Sequence, residues 1–373
     1  MILYDSSLDM NFRKYGIMLP ILDSRAGRII KEVQNSPVRT NSQATKVFPV
    51  YTLNEARQEI GRTAGETPEP IGREDIERVH EPNFVSHLFD DTSKGLEKEL
   101  LTTYELIDQN GEYNRYEPGQ AERPLSDLFG TIRQQVEGTY LACRLALEQE
   151  SGRGFCFYLG GGMHHARYDS GSGFCLINDS IISIRRLQSE GQAALVWIID
   201  VDAHKGDGSA ELVTFSRSKE TTFLDKNPSI LTLSVHMAKG WPLDAETLSV
   251  SDADRAPNLP SDIDIPMEEN EEDLYLPRLK EGLKQLQELS GNRKPDLAIV
   301  VDGADPYEHD GLASSGLLKL SLEQCVARDR YIYSFLQENA VPSAWLMAGG
   351  YGDRAWEPPA AFLQQLAKER ADQ

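Results

Sequence analysis

Short apolar runs alternate with helical periodicities along the second half of the chain, and five of those runs end alike. Phe155-Cys-Phe-Tyr-Leu159 leads into Gly160-Gly-Gly-Met-His164-His165, and Ala193-Ala-Leu-Val-Trp-Ile-Ile199 into Asp200-Val-Asp-Ala-His-Lys-Gly-Asp-Gly208. Ser229-Ile-Leu-Thr-Leu-Ser-Val235 ends at His236, Asp296-Leu-Ala-Ile-Val-Val301 at Asp302-Gly-Ala-Asp305, and Ser343-Ala-Trp-Leu-Met-Ala348 at Gly349-Gly-Tyr351. Each run is too brief for a free-standing helix and apolar enough for a strand buried on both faces. Three- and four-residue spacings over Ile181–Gln188, Leu274–Leu289 and Ser321–Leu336 predict helices between them, the last opened by Ser321 and Gln324 in capping-box spacing. Strands alternating with helices predict a three-layer α/β/α fold around a mostly parallel sheet, where ligand chemistry gathers at the carboxyl ends of the strands. Core packing has no need of polar residues at one end only.

Upstream, the pattern predicts a short strand at Ile2-Leu-Tyr4, a loop over 61–73, and a helix over Asp75–Leu88 with His80 and His87 in surface or packing roles. A long core helix is expected from Leu125, Leu128, Ile132, Val136, Tyr140, Cys143 and Leu147, after an exposed turn-rich loop at Gly111–Pro124. The stretch Phe12–Leu22 either lines an opening or packs on the surface, and the acidic stretch Pro242–Glu272 reads as a solvated excursion. There is no internal repeat, so one domain is expected over residues 1–373, with the motifs between about 150 and 360.

The charge balance narrows the partners. Fifty-nine acids against 38 bases give a net charge of −21, which disfavours nucleic acid and is compatible with a cationic substrate. No stretch reaches the roughly 18–20 apolar residues that span a bilayer, so no membrane partner is expected. Cys143, Cys156, Cys175 and Cys325 lack disulfide or metal spacing and read as buried free thiols. A cytoplasmic protein is the expectation.

Three acids and one imidazole crowd into Asp200–Asp207, and burying them is costly unless a cation or hydrogen-bond donors meet them. Asp202 and His204 are two apart and point to the same side of an extended strand end. With Asp305 they would supply one nitrogen and two oxygens to an open metal site, leaving a position for a water whose pKa the metal lowers. His164 and His165 follow a triple glycine and suit acid–base work, with Asp200 and Asp207 as candidates to hold their other ring nitrogens. Tyr351 could donate its hydroxyl to a developing oxyanion. Together these residues describe metal-assisted hydrolysis of an amide.

Gly160-Gly-Gly-Met-His-His-Ala166, Gly171-Ser-Gly-Phe-Cys-Leu-Ile-Asn-Asp179, Asp200–Gly208, Gly303-Ala-Asp-Pro306 and Gly349-Gly-Tyr351 resemble, in order, the motifs of the histone deacetylase family of the arginase/deacetylase fold. The resemblance implies one zinc per chain on Asp202, His204 and Asp305. It further implies His165 as general base and acid, His164 as mainly electrostatic, Asp200 and Asp207 as their carboxylate partners, and Tyr351 polarising the scissile carbonyl. Gly173, Phe174 and Trp241 would form the acyl-lysine channel. A potassium ion would involve Asp200, Asp202, His204, Ser234 and Val235. The implied substrate is an acylated lysine of a peptide or protein, with an acylated polyamine or small-molecule amide as the alternative; oligomeric state stays open.

The chain departs from the family pattern at Lys205, where a second histidine is common, and at Asp302, where a small residue is usual. His309 is an extra imidazole near the third ligand, and the family's substrate-holding aspartate cannot be placed in 103–124. Two rivals remain: a dinuclear manganese hydrolase of the arginase kind, which needs more bridging carboxylates, and an acyl-lysine binder without turnover.

Overall fold

All five expected strand ends lie on one edge of a single sheet, because every strand in it runs the same way. The computed structural model describes residues 1–21, 24–35, 48–108, 110–149, 152–219, 229–244, 246, 258–291 and 293–371. Its strands are β1 (Ile2–Leu3), β2 (Val50–Tyr51), β3 (Phe155–Tyr158), β4 (Val196–Asp200), β5 (Ile230–Met237), β6 (Ile263–Met267), β7 (Leu297–Asp302) and β8 (Ser343–Met347). They pair in parallel in the order β2-β1-β3-β8-β7-β4-β5-β6. The helices are α1 (Arg25–Asn35), α2 (Leu53–Ala64), α3 (Arg73–Glu77), α4 (Pro82–Leu88), α5 (Lys94–Thr103) and α6 (Leu128–Leu147). They continue with α7 (Asp179–Ser189), α8 (Asp207–Lys219), α9 (Glu272–Leu289), α10 (Leu322–Glu338) and α11 (Glu357–Ala371).

Alternate residues of each central strand feed opposite cores. Val196 and Ile198 join the apolar cluster that holds α6 and α7, while Trp197 and Ile199 join the cluster that holds α9, α10 and α11. Burial on both faces is why β4 reads as an unbroken apolar run. The result is the α/β arrangement of the arginase/deacetylase fold. All four cysteines are buried and unpaired, and no described helix is long and apolar enough to cross a membrane.

Several expectations need correction, beginning with the loop over 61–73, whose first four residues belong to α2. The helix over Asp75–Leu88 is two short helices, because Pro82 forces Glu81 into extended backbone (φ −63°, ψ 135°) and Glu81 then caps α4 through the Phe84 amide. The Pro242–Glu272 stretch is not wholly a solvated excursion. Its residues 245 and 247–257 lie outside the described residues, but Ile263–Met267 forms the edge strand β6, whose Pro266 suits an edge. Residues 207–219 and 357–371, given no element from the pattern, are helices.

His80 is a packing histidine, as expected, and its role is specific. Its Nδ1 lies 2.7 Å from the Arg167 carbonyl and its Nε2 accepts the Asn178 amide at 3.1 Å. Burial lowers its pKa to about 4, so the ring is neutral and joins the segment after β3 to the start of α7. Replacing it orphans a buried donor and a buried acceptor: His80→Leu should cost about 2–3 kcal/mol in urea unfolding. A variant as stable as the parent contradicts this account.

Candidate functional site

Each functional side chain stands just past the carboxyl end of a strand, on a turn built for close approach. The turn after β3 holds Gly161 and Gly162 at φ +75° and +77°, and a Cβ on Gly162 would lie 2.6 Å from that of Ala348. The Asp179 carboxylate accepts the amides of Gly162 and Met163 and the Thr139 hydroxyl, which fixes the turn from behind. His164 and His165 leave it with ring centroids 3.9 Å apart. Asp200 Oδ2 lies 2.7 Å from His164 Nδ1, and Asp207 Oδ1 lies 2.7 Å from His165 Nδ1.

The turn after β4 and the turn after β7 bring Asp202, His204 and Asp305 together, with one ligand-type atom from each within 4.8 Å of the others. His204 Nδ1 is 2.9 Å from Asp305 Oδ2 and 3.3 Å from Asp202 Oδ1. All three side chains are buried. Gly349 lets the chain after β8 pass over this cluster: its amide donates to Asp202 Oδ2 at 2.9 Å, and a Cβ there would sit 2.4 Å from the same oxygen. Tyr351 follows, half-buried, close enough to Asp305 and Asp202 to feel their charge.

The electrostatics separate the two imidazoles. Burial opposes a charge on His164, but the carboxylates of Asp200 and Asp202 outweigh it and raise its pKa to about 9. Burial and the neighbouring His164 together lower that of His165 to about 3. Burial and the Asp202 charge push Asp305 up to about 7. His204, despite its burial, is raised to about 10 by Asp202 and Asp305. An imidazole nitrogen and a carboxylate that hold protons for want of a better partner, beside the Asp202 carboxylate kept ionised by His164 and His204, are a donor set suited to a divalent cation.

Two hollows meet at this cluster. The outer one, about 540 Å³, is lined by Phe174, Trp241, Gly173, His165, His204 and Tyr351. The Trp241 ring packs 4.5 Å from the His165 ring, and a Cβ on Gly173 would strike it at 2.2 Å, so only glycine fits there. At its mouth stand Glu105, Arg115, Lys239 and Glu269, with Arg115 3.4 Å from Glu105. The inner hollow, about 180 Å³, lies beyond His165 and Tyr351 and is walled by Leu8, Met10, Phe12, Tyr104 and Met163. Phe12 thus lines an opening.

Ser234 stands opposite Asp200 in the β4–β5 register, and its buried Oγ has no hydrogen-bond partner. Lys205 does not reach toward the cluster as a free cation: its Nζ pairs with Asp264 of β6 at 3.0 Å. His309 is exposed and packs on Tyr307, apart from both hollows.

Sequence reasoning misses several supports. Arg25 donates to the carbonyls of Ala348 at 2.8 Å and Gly349 at 3.0 Å, holding the turn that carries Tyr351. Asp310 accepts the Tyr351 amide at 2.7 Å and the Ser315 hydroxyl at 2.8 Å. Ser314, in the short turn of helix between them, lies 3.3 Å from His204 Nε2. No local pattern marks these residues; the turn-rich 306–316 segment is the nearest signal.

Comparison with known proteins gives a consistent picture. The family model of the histone deacetylase domain matches residues 36–364. Histone deacetylase 2 of Arabidopsis thaliana is 30% identical over 64% of this chain and 54% of the plant protein. The acetoin utilization protein AcuC of Bacillus subtilis is 30% identical over 53% of this chain and 46% of its own length. The chain thus spans about half the length of these curated relatives. Among solved structures, an acetylpolyamine aminohydrolase from Burkholderia pseudomallei superposes with a TM-score of 0.63 at 16% identity, covering 98% of both chains.

Uptake of a divalent cation must displace the protons held at His204 and Asp305, whose pKa values stand near 10 and 7. Protons therefore compete more strongly as pH falls, and affinity should drop about tenfold or more per pH unit between pH 8 and 6. Competition titrations against a chelator at the two pH values check this; a flat profile contradicts it.

Proposed function

The chain belongs to the histone deacetylase family, and on that premise we propose that it is a zinc-dependent hydrolase removing acetyl or longer acyl groups from an amine nitrogen. The observation that carries the reading is the meeting of Asp202, His204 and Asp305 beside two carboxylate-backed imidazoles and a half-buried tyrosine. Asp202, His204 and Asp305 would hold the zinc, which supplies Lewis-acid polarisation of the amide carbonyl and acidifies water.

The chain's own residues do the rest. His165 is neutral and so can take the proton of the attacking water, with Asp207 fixing its tautomer. His164 already carries charge at neutral pH and acts on the site electrostatically. The Tyr351 hydroxyl, kept protonated by burial, is the donor for the developing oxyanion. His165 then returns its proton to the departing amine nitrogen. Phe174 and Trp241 flank the aliphatic stem of the substrate, and the inner hollow gives the acyl end room beyond the reacting carbon. Asp200, Asp202, His204, Ser234 and Val235 would hold a potassium ion, a reading supported by the buried, unpartnered Ser234 hydroxyl.

The rim favours an acyl-lysine within a peptide over a polyamine. Glu105 and Glu269 are matched by Arg115 and Lys239, whereas extra ammonium groups on a polyamine gain most from an acidic rim. A dinuclear site would need further bridging carboxylates, and among the described residues the two candidate groups share Asp202.

On acyl-lysine peptides, Tyr351→Phe and His165→Ala should each lower kcat/KM about a hundred- to ten-thousand-fold. Unchanged turnover in either variant sinks the assignment. Acetyl-lysine peptides should outpace acetylated polyamines, and the reverse order moves the substrate to the polyamine class.

A further inference from the structure

Asp302 is a departure that the reaction does not use, and its partner lies on the far side of the sheet edge. Arg328 of α10 is 1% exposed. Its Nη2 donates to Asp302 Oδ1 and its Nε to Asp329 Oδ1, each at 2.6 Å. Its Nη1 does something else: it donates to the carbonyls of Val201 and Gly303, each at 3.0 Å. Val201 immediately precedes Asp202, and Gly303 lies two residues before Asp305. One nitrogen therefore bridges the two turns that carry the carboxylates of the cluster.

Those carbonyls lie just past the β4–β7 ladder, whose paired residues end at Asp200 and Val301, so they need a donor from elsewhere. The two turns are also closely packed. Asp202 and Asp305 are buried like charges on adjacent turns, and a Cβ on Gly303 would stand 2.5 Å from Asp202 Oδ2, so there is no slack between them. A planar guanidinium reaches two carbonyls and two carboxylates at fixed angles; a lysine ammonium is a point charge on a flexible stem and cannot.

We propose that Arg328, seated on Asp302, is a positioning residue for the metal: it sets the separation of the Asp202 and Asp305 turns, and thereby the affinity and coordination geometry of the bound divalent ion. This rests on the metal reading given above. An ion pair that only stabilised the core would leave the metal site unchanged once the fold was kept.

The test uses full-length protein stripped of metal, with zinc affinity read by competition against a chromophoric chelator and geometry by the visible absorption of the cobalt(II) form. Arg328→Lys keeps the charge and loses the bridge. Arg328→Met/Asp302→Val/Asp329→Leu removes the whole buried triad, a replacement that elsewhere leaves stability unchanged or higher. Both should bind zinc about 10–100-fold more weakly, with an altered cobalt spectrum. In the triple variant the metal-free form, which loses the donor to two buried carbonyls, should stay folded with a lowered thermal midpoint, and its zinc affinity is read well below that midpoint. Asp302→Asn keeps an acceptor for Nη2 and should bind zinc as the parent does. If Arg328→Lys fails to fold, the triple variant decides. A folded triple variant with parental zinc affinity and cobalt spectrum overturns the clamp alone, as does a loss of affinity confined to variants already unfolded at the assay temperature. A parent chain that takes up no zinc overturns the clamp and the metal reading together.

Discussion

The repulsion between Asp202 and Asp305 is the constraint on which the rest of this molecule turns. Both carboxylates are almost wholly removed from water, and a buried anion without a partner neutralises itself by taking a proton. Burial and the Asp202 charge do push the Asp305 pKa to about 7. Proton uptake relieves the conflict only in part, since His204 is drawn into the same cluster and charged by it. A divalent ion resolves all three demands at once, which is why the cluster reads as a metal site before any relative is consulted.

A cluster that repels itself has to be held from outside, and the chain does so mainly with backbone contacts. The amide of Gly349 and that of His204 donate to the Asp202 carboxylate, and the Ala203 amide donates to Asp305. Arg25 restrains the turn after β8 by its carbonyls. Asp310 ties the Tyr351 amide to the segment that presents Ser314 to His204. The glycines at 162, 173 and 349 serve the same end, since a Cβ at any of them would enter a neighbouring side chain. Rigid turns at strand ends give the side chains of the cluster fixed separations, which matters more to any reaction held there than the strength of any one contact.

This division explains what the sequence could disclose. The strands β3, β4, β5, β7 and β8 were legible because burial on both faces leaves an unbroken apolar run, and the polar residues at their ends stood out against it. His164, His165, Asp202, His204, Asp305 and Tyr351 were legible for the same reason. β6 was not, because an edge strand containing Pro266 inside an acidic stretch has no such contrast. The break between α3 and α4 was foreshadowed by Pro82 but masked by continuous apolar spacing. Arg25, Asp310 and Arg328 stayed hidden because their partners are mainly main-chain groups, many of them far away in the chain, and main-chain groups leave no trace in residue identity. Glu105 and Arg115 reach the mouth by backbone at φ +53° and +50°, a conformation that side-chain patterning does not announce.

The two departures from the family pattern are best understood together. Lys205 puts a cation next to His204, and Asp302 puts an anion next to Gly303; either alone would disturb a buried cluster whose charge is finely balanced. Each is instead matched by a residue from another element, Lys205 by Asp264 of β6 and Asp302 by Arg328 of α10. The compensation is local in space and distant in sequence. Charge one step behind the site is met by a partner from another element, and for Asp302 that partner also reaches the turns that carry Asp202 and Asp305.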